Sequence, residues 1–446
     1  MRKSNARTLT AWALLGIGWA GHAAAQGGLA VPGLPESGPQ RPLSEGLYWL
    51  EVPVEGEPLP EVGLLGIPPG GQGMGSRPLL VFYHSFSATP NQVTGTGFAA
   101  EAANRGWYLW SAGSRSPGNF RDVNYGSVES QVFTAAGIDF VLDTYPIDRT
   151  RIYGVGFSMG SAQCMSYAAR HMDPSKGMFA ALVNHSGSID QSDTWRSLSS
   201  PPVLMIIESL FGGVPTQVPF AYRSASILEL DEITGIWDPG GTHQAINLLQ
   251  TPTQIWWAES DPNAYLVNQT EQHVDFLTAN QAPAFEAFPV PVSSHEWDLL
   301  PYAEVCDWLE QQVLAIPLDG TVIADRNRRW LWFDVTGVQS GSFGTFSYSV
   351  DLPNQLIELR DTEGLDGIRT NLAQWNGGSS LPLPLTVKVG AQDVGDTIIL
   401  RGVSSFPLIV TRDGAPQATG WSYDSFTQEL TLTEVEAGPH SWVFLP

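Results

Sequence analysis

Between Leu79 and Leu314 short apolar runs alternate with stretches of helical length, and few architectures accommodate that alternation. Leu79-Leu80-Val81-Phe82-Tyr83 is apolar at every position, the mark of a strand buried on both faces. Phe98 to Arg105 reads as a helix stopped by Gly106, Tyr108 to Ser111 as a strand, and a longer helix begins near Ser127 with Phe133, Phe140 and Val141 on its buried side. Ile152 to Gly156, Phe179 to Val183, Ile255 to Ala258 and Phe285 to Val290 continue the strands. The helices between and after them are Met159 to Arg170, Val267 to Leu277 and Asp298 to Leu314. Two earlier runs, Tyr48 to Val54 and Val62 to Ile67, form a pair of strands joined by an acidic, proline-bearing turn. The pattern predicts an α/β domain over residues 46–316, a mostly parallel sheet flanked by helices on both faces.

Residues 188–250 interrupt the alternation with an apolar helix, Val203 to Leu210, and Gly-Pro-Thr-rich loops bearing Phe220, Tyr222 and Trp237. An insertion of this length is either a cap over one end of the sheet or an excursion away from it. Past Pro317 the composition changes to short β-rich runs: Trp330 to Val335, Thr345 to Val350, Leu385 to Val389, Thr397 to Leu400, Leu408 to Thr411 and Glu429 to Thr433. Residues 322–446 therefore read as a separate all-β sandwich. Trp421, Tyr423 and Trp442 in it are either a binding face or packing between sheets, and Asp361, Glu363 and Asp366 are solvated turn acids or, less simply, calcium ligands.

Arg2, Lys3 and Arg7, an apolar stretch from Leu9 to Ala20, and Ala23-Ala24-Ala25 follow the order of a cleavable secretory signal, residues 1–25, with a Gly- and Pro-rich leader over 26–45. Export, to the periplasm or the medium, is the expectation. Removing that segment takes away three basic residues and moves the formal charge from −23 to −26. So acidic a surface repels phosphate backbones and anionic lipid heads, which argues against nucleic acid as a partner and against electrostatic membrane docking. No later segment reaches the roughly 20 apolar residues a membrane span needs. The two cysteines, Cys164 and Cys306, fall on helices expected on opposite faces of the sheet and are predicted to be buried free thiols.

The chemistry is carried by Gly156-Phe157-Ser158-Met159-Gly160, placed between a β run and a helix. A serine in that tight strand-to-helix turn is forced to project its hydroxyl, with small residues on both sides allowing strand and helix to pack closely. A serine hydroxyl needs a base to take its proton. His295 lies on the loop between the last strand and the closing helix, where that base belongs. His171, His185, His243, His273 and His440 are misplaced in chain order or in their elements, and His22 lies in the signal segment. The carboxylate partner is Asp261, in the turn Glu259-Ser260-Asp261-Pro262, with Glu259 as its rival. Charge on a substrate oxygen calls for preorganised N–H donors: the backbone of Met159 is one, and Phe86, with Ser85 as the alternative, is the other. Phe86, Trp257 and Trp297 are placed as pocket walls, and the two tryptophans fit equally as core residues.

With Tyr83-His84-Ser85-Phe86, the elbow, Asp261 and His295 in this order, residues 46–316 resemble the α/β-hydrolase superfamily. Within it they are similar to secreted bacterial esterases related to polyhydroxyalkanoate depolymerases, feruloyl esterases and prolyl-oligopeptidase-like hydrolases; Ile147-Asp148-Arg149-Thr150-Arg151-Ile152-Tyr153 leads into the elbow as in that group. The resemblance implies a triad of Ser158, Asp261 and His295 with no metal or organic cofactor. Ser85 stands where the family usually has glycine. The expected activity is hydrolysis of small or polymeric carboxylic esters. The alternatives are a serine peptidase acting on short peptides, with Arg223 or Glu208 holding a substrate terminus, and a non-catalytic polymer-binding or cell-surface protein.

Overall fold

The computed structural model describes residues 41–115, 123–375, 377–390, 397–433 and 438–446. The expected signal segment 1–25 and most of the leader 26–45 lie outside them.

The α/β domain is built on one eight-stranded sheet. In chain order its elements are β1 (Gly46–Val52), β2 (Glu61–Ile67), β3 (Arg77–Tyr83), α1 (Phe98–Asn104), β4 (Tyr108–Ala112), α2 (Val128–Thr144), β5 (Ile147–Phe157), α3 (Met159–Arg170) and β6 (Ala181–His185). Then come α4 (Gln191–Ser197), α5 (Pro201–Phe211), α6 (Pro219–Ala225), β7 (Thr253–Ala258), α7 (Ala264–Ala279), β8 (Phe285–Val290) and α8 (Tyr302–Glu310). The strand order is β1-β2-β4-β3-β5-β6-β7-β8, antiparallel through β1, β2 and β4 and parallel from β4 onward.

The all-apolar run on β3 serves two cores. Leu79, Val81 and Tyr83 pack with residues of α2, α3 and α7, while Leu80 and Phe82 pack with residues of α1 and α8. Alternate side chains on a strand point to opposite faces, so a strand covered on both sides must be apolar throughout. Cys164 belongs to the first core and Cys306 to the second, and both are free thiols. The closing helix is shorter than its apolar pattern: Pro301 disfavours helical backbone before it, so a single turn at Trp297–Leu299 precedes α8.

The insertion divides. Ile227, Leu228, Leu230, Ala245 and Leu248 join the core around α2, α3 and α7. The covering part is therefore α4 to α6, not all of 188–250. Ile207, Leu210, Phe211, Tyr222 and Ala225 from those helices form an apolar cluster with Met159, Tyr125 and Phe86, over the C-terminal end of the sheet.

The C-terminal domain holds β9 (Asp319–Ala324), β10 (Arg328–Trp330), β11 (Phe333–Thr336), β12 (Gly344–Asp351), β13 (Leu356–Glu363), β14 (Gly367–Asn371), β15 (Leu385–Val389) and β16 (Thr397–Arg401). It continues with β17 (Ile409–Arg412), β18 (Ala415–Pro416), β19 (Trp421–Asp424), β20 (Glu429–Thr433) and β21 (His440–Leu445). They form sheets in the orders β10-β11-β14-β16-β20-β19 and β18-β17-β21-β15-β13-β12-β9, which enclose a shared core of Trp330, Phe333, Tyr348, Leu400, Trp442 and Phe444 among others. Trp442 is thus core and offers no binding face; Trp421 and Tyr423 remain half-buried, each tied to the backbone through Gln417 and Val403. The run Trp330 to Val335 is two strands, reversed at Leu331, where φ is +52°. Asp361 and Glu363 sit on β13 rather than in a turn.

The two domains are joined by buried polar contacts. Arg170, at the end of α3, pairs with Asp325, each side chain only 1% exposed, and Arg170 Nη1 also donates to Gln131 Oε1. Asn247 Nδ2 donates to the carbonyls of Ala169 and Ile323 at 2.8 and 2.9 Å, and its Oδ1 accepts from Ile323 N. Further out, the ring of Phe343 meets Phe220 of α6. Breaking a buried ion pair from one side leaves a charge without a partner, so Asp325→Ala is expected to lower unfolding free energy by about 3–5 kcal/mol. The paired replacement Arg170→Met with Asp325→Leu should recover part of the loss, as read by denaturant unfolding, because Arg326 also loses its partner. Equal instability of single and paired variants would contradict this account.

Candidate active site

The site grows from the turn between β5 and α3. Ser158 has φ 56° and ψ −122°, a conformation that costs a residue with a side chain of order 1–3 kcal/mol and persists only where its surroundings impose it. The glycines on either side follow from close packing. A Cβ on Gly156 would lie 2.5 Å from Gly160 O, and one on Gly160 would lie 2.2 Å from Tyr83 O and 2.5 Å from His84 O. The loop after β3 is thereby pressed against the first turn of α3. Ser158 N donates to His185 O at 2.9 Å, which anchors the bend to β6.

His295 Nε2 stands 3.0 Å from Ser158 Oγ, and its Nδ1 stands 2.6 Å from Asp261 Oδ2. Facing a carboxylate, Nδ1 carries the proton, which leaves Nε2 to accept from the serine hydroxyl. Asp261 Oδ1 accepts from the backbone N and the side-chain amide of Asn263, at 2.8 and 3.2 Å, so both carboxylate oxygens are engaged. Glu259, the rival acid, is exposed. Backbone bonds from Glu259 N to Val290 O and from Ser260 N to Val292 O tie the acid's turn to the loop that carries His295.

A mostly parallel sheet of this order, with the serine on a strained bend after β5, the carboxylate after β7 and the histidine after β8, decides the architecture. This is the α/β-hydrolase fold. In its usual geometry the residue after the nucleophile and the loop after β3 face a substrate oxygen. Met159 is the first residue of α3, so its N–H has no acceptor within the helix. Ser85 N is already committed to Gln92 Oε1 at 2.9 Å, and Gln92 Nε2 donates back to Ser85 Oγ at 2.7 Å. Of the two candidates on that loop, Phe86 has the amide not engaged by Gln92, and its ring lies beside Tyr125 under the covering helices.

The two tryptophans placed as pocket walls are corrected by the structure. Trp297 stacks on Phe82 at 4.7 Å and packs against Phe157 and Phe98, behind the histidine loop. Trp257 is buried in the core formed with α2, α3 and α7. Both side chains are buried among core residues. Glu208 and Arg223 are also engaged within the protein: Glu208 accepts from Trp195 Nε1 at 3.1 Å, and Arg223 meets Glu229 at 3.1 Å and lies over the Phe343 ring.

His185, set aside in sequence because it precedes the acid, has a positioning place here. Its Nε2 lies 2.8 Å from Glu296 O, next to the base, and its Nδ1 lies 3.2 Å from Trp256 O. The Phe157 ring is sandwiched between His185 and His295, with centroids 4.6 and 4.5 Å away. Burial pushes the His185 pKa down to about 4, and burial does the same to His273, likewise to about 4. Both rings are therefore neutral in the folded chain, while in the unfolded chain they titrate near 6.5. Between those values the unfolded chain binds more protons, so stability present above about pH 6.5 is lost as pH falls toward 4, at up to about 1.4 kcal/mol per pH unit for each histidine. Glu61 and Asp190, which burial pushes up to about 7 and about 6, act with the opposite sign over the same interval, so the histidine contribution is read as the difference between wild type and His273→Gln in denaturant midpoints from pH 7 to pH 4. An unchanged slope in His273→Gln would contradict the assignment.

No family model and no curated sequence matches the chain. Solved structures do. Porphyromonas gingivalis dipeptidyl peptidase 4 aligns over 60% of this chain and 36% of its own, at 15% identity and a TM-score of 0.44. Pyrococcus horikoshii acylaminoacyl peptidase aligns over 60% and 42%, at 16% identity and 0.44. An S-formylglutathione hydrolase from Agrobacterium tumefaciens aligns over 60% and 95%, at 13% identity and 0.44. The chain thus spans well under half the length of the two peptidases, and likeness of this degree says nothing about substrate.

Proposed function

We propose that the protein is an exported serine hydrolase that cleaves carboxylic esters through an acyl-enzyme. The observation that carries this reading is the chain of contacts from Ser158 Oγ through His295 to Asp261, built on a strained turn. Ser158 Oγ attacks the ester carbonyl carbon while His295 Nε2 takes its proton, and Asp261 stabilises the imidazolium that results. The oxyanion is met by the N–H groups of Met159 and Phe86. Collapse expels the alcohol, which leaves with the proton from His295. Water then attacks the acyl carbonyl, giving its proton to His295, and the acid departs as Ser158 regains its hydroxyl.

An apolar acyl group is favoured by the side chains over the site: Phe86, Tyr125, Ile207, Leu210 and Phe211 surround Met159. Esters are favoured over peptides because Glu208 and Arg223, the charged groups of the insertion suited to a peptide terminus, are held by Trp195, Glu229 and Phe343. The test is a series of p-nitrophenyl esters of graded acyl length run beside peptide anilides. Hydrolysis of the esters, varying with acyl length, is expected. Activity confined to the anilides would replace this reading with that of a peptidase.

A further inference from the structure

At the junction of the two domains lies a cavity of about 210 Å³, walled by Asp139, Tyr167, His171, Lys176, Arg328 and Arg329 among others. It is unconnected with the triad, at the far end of α3 from Ser158. The chain carries 45 acidic residues against 22 basic ones, yet this spot reverses the balance. Arg170, Lys176, Arg326, Arg328 and Arg329 are answered there by Asp139, Asp173 and Asp325. Arg170 and Arg326 share Asp325, Lys176 reaches Asp139 at 3.4 Å, and Arg329 reaches Asp173 at 3.5 Å.

Arg328 is left over. Among the described residues no carboxylate pairs with it, its Nε and Nη2 are buried without an acceptor, and its guanidinium lies 4.7 Å over the Trp330 ring. Burial, and then the nearby Arg170 and Arg326, push its pKa down to about 9 against the pull of Asp325, and burial with Arg328, Arg170 and Arg326 holds His171 well below its ordinary value. A guanidinium does not discharge its strain by losing the proton at neutral pH, and the carboxylate that acts on it, Asp325, is already shared by Arg170 and Arg326. Three arginines around one carboxylate leave an excess of positive charge that an anion from solution would answer, and the cavity beside Arg328 has room for one.

We propose that this cavity binds a small oxyanion, a carboxylate or a tetrahedral anion such as sulfate or phosphate, with Arg328 as its main counter-charge and Lys176 and Arg329 beside it. Because Asp139, His171 and Lys176 come from the hydrolase domain and Arg328 and Arg329 from β10, occupancy ties the two domains together and stabilises the folded chain by mass action.

The experiment titrates the full chain with sodium phosphate, sulfate and acetate at constant ionic strength, reading thermal unfolding and heats of binding. Wild type should show a saturable rise in Tm and one binding site, and Arg328→Met should weaken affinity by about tenfold or more, the loss of a charge-assisted contact. Should Arg328→Met fail to fold, the exposed Lys176→Met with Arg329→Gln gives the same reading through calorimetry. The three arms separate a carboxylate site from a tetrahedral one, either of which supports the proposal. Rises in Tm equal in wild type and variant would be general salt exclusion, and would overturn it, as would no heat of binding in wild type.

Discussion

Ser158→Ala is expected to lower kcat on an activated ester by roughly 10⁶-fold, the scale on which removing a triad serine or histidine acts. His295→Ala should fall as far, and the two together no further, because attack and proton removal are one event and either loss abolishes it. The variant should stay folded. Ser158 Oγ is bonded to His295, and the bend itself is held by Ser158 N on His185 O and by the crowding of Gly156 and Gly160. Far-UV circular dichroism and a denaturant midpoint at or above that of wild type would separate lost chemistry from lost structure. Retained turnover in a folded Ser158→Ala would mean that another residue carries the chemistry.

Asp261→Asn should cost roughly 10⁴-fold in kcat with little change in KM, because an amide facing Nδ1 stabilises the wrong tautomer and gives no support to the imidazolium. Asp261 Oδ2 lies 2.6 Å from that nitrogen, and its side chain is fully buried. Glu259→Gln is the control. Its side chain is exposed on the same turn, so its rate should match wild type. If instead Glu259→Gln were crippled and Asp261→Asn active, the acid would have to be reassigned, with a rearranged turn to carry it.

How much of the site could be read in sequence depended on how local each constraint is. The elbow was legible because a bend, its two small neighbours and the helix it opens all fall within a dozen residues. His295 was legible by elimination and chain order. His185 was not: it ends β6 in a run, Asn184-His185, that looks like loop, because a polar residue in a strand can be buried wherever backbone carbonyls answer it. The strand was accordingly read two residues early, on the apolar Phe179. Trp257 and Trp297 erred in the other direction, since proximity to the acid and the base along the chain says nothing about which side of the sheet a ring faces. β13 was hidden by Asp361 and Glu363, although Ile357 and Leu359 keep the alternation of a half-buried strand.

Sequence alone determined the order of strands and helices, the doubly covered sheet and the position of the reactive serine, because period and steric size act between neighbours. Tertiary structure decided which acid meets His295, which loop amide is left unengaged by Gln92, which part of the insertion covers the site and where the surplus arginine lies. Each of those is a choice among chemically similar groups, settled by burial and by partners that come from distant parts of the chain.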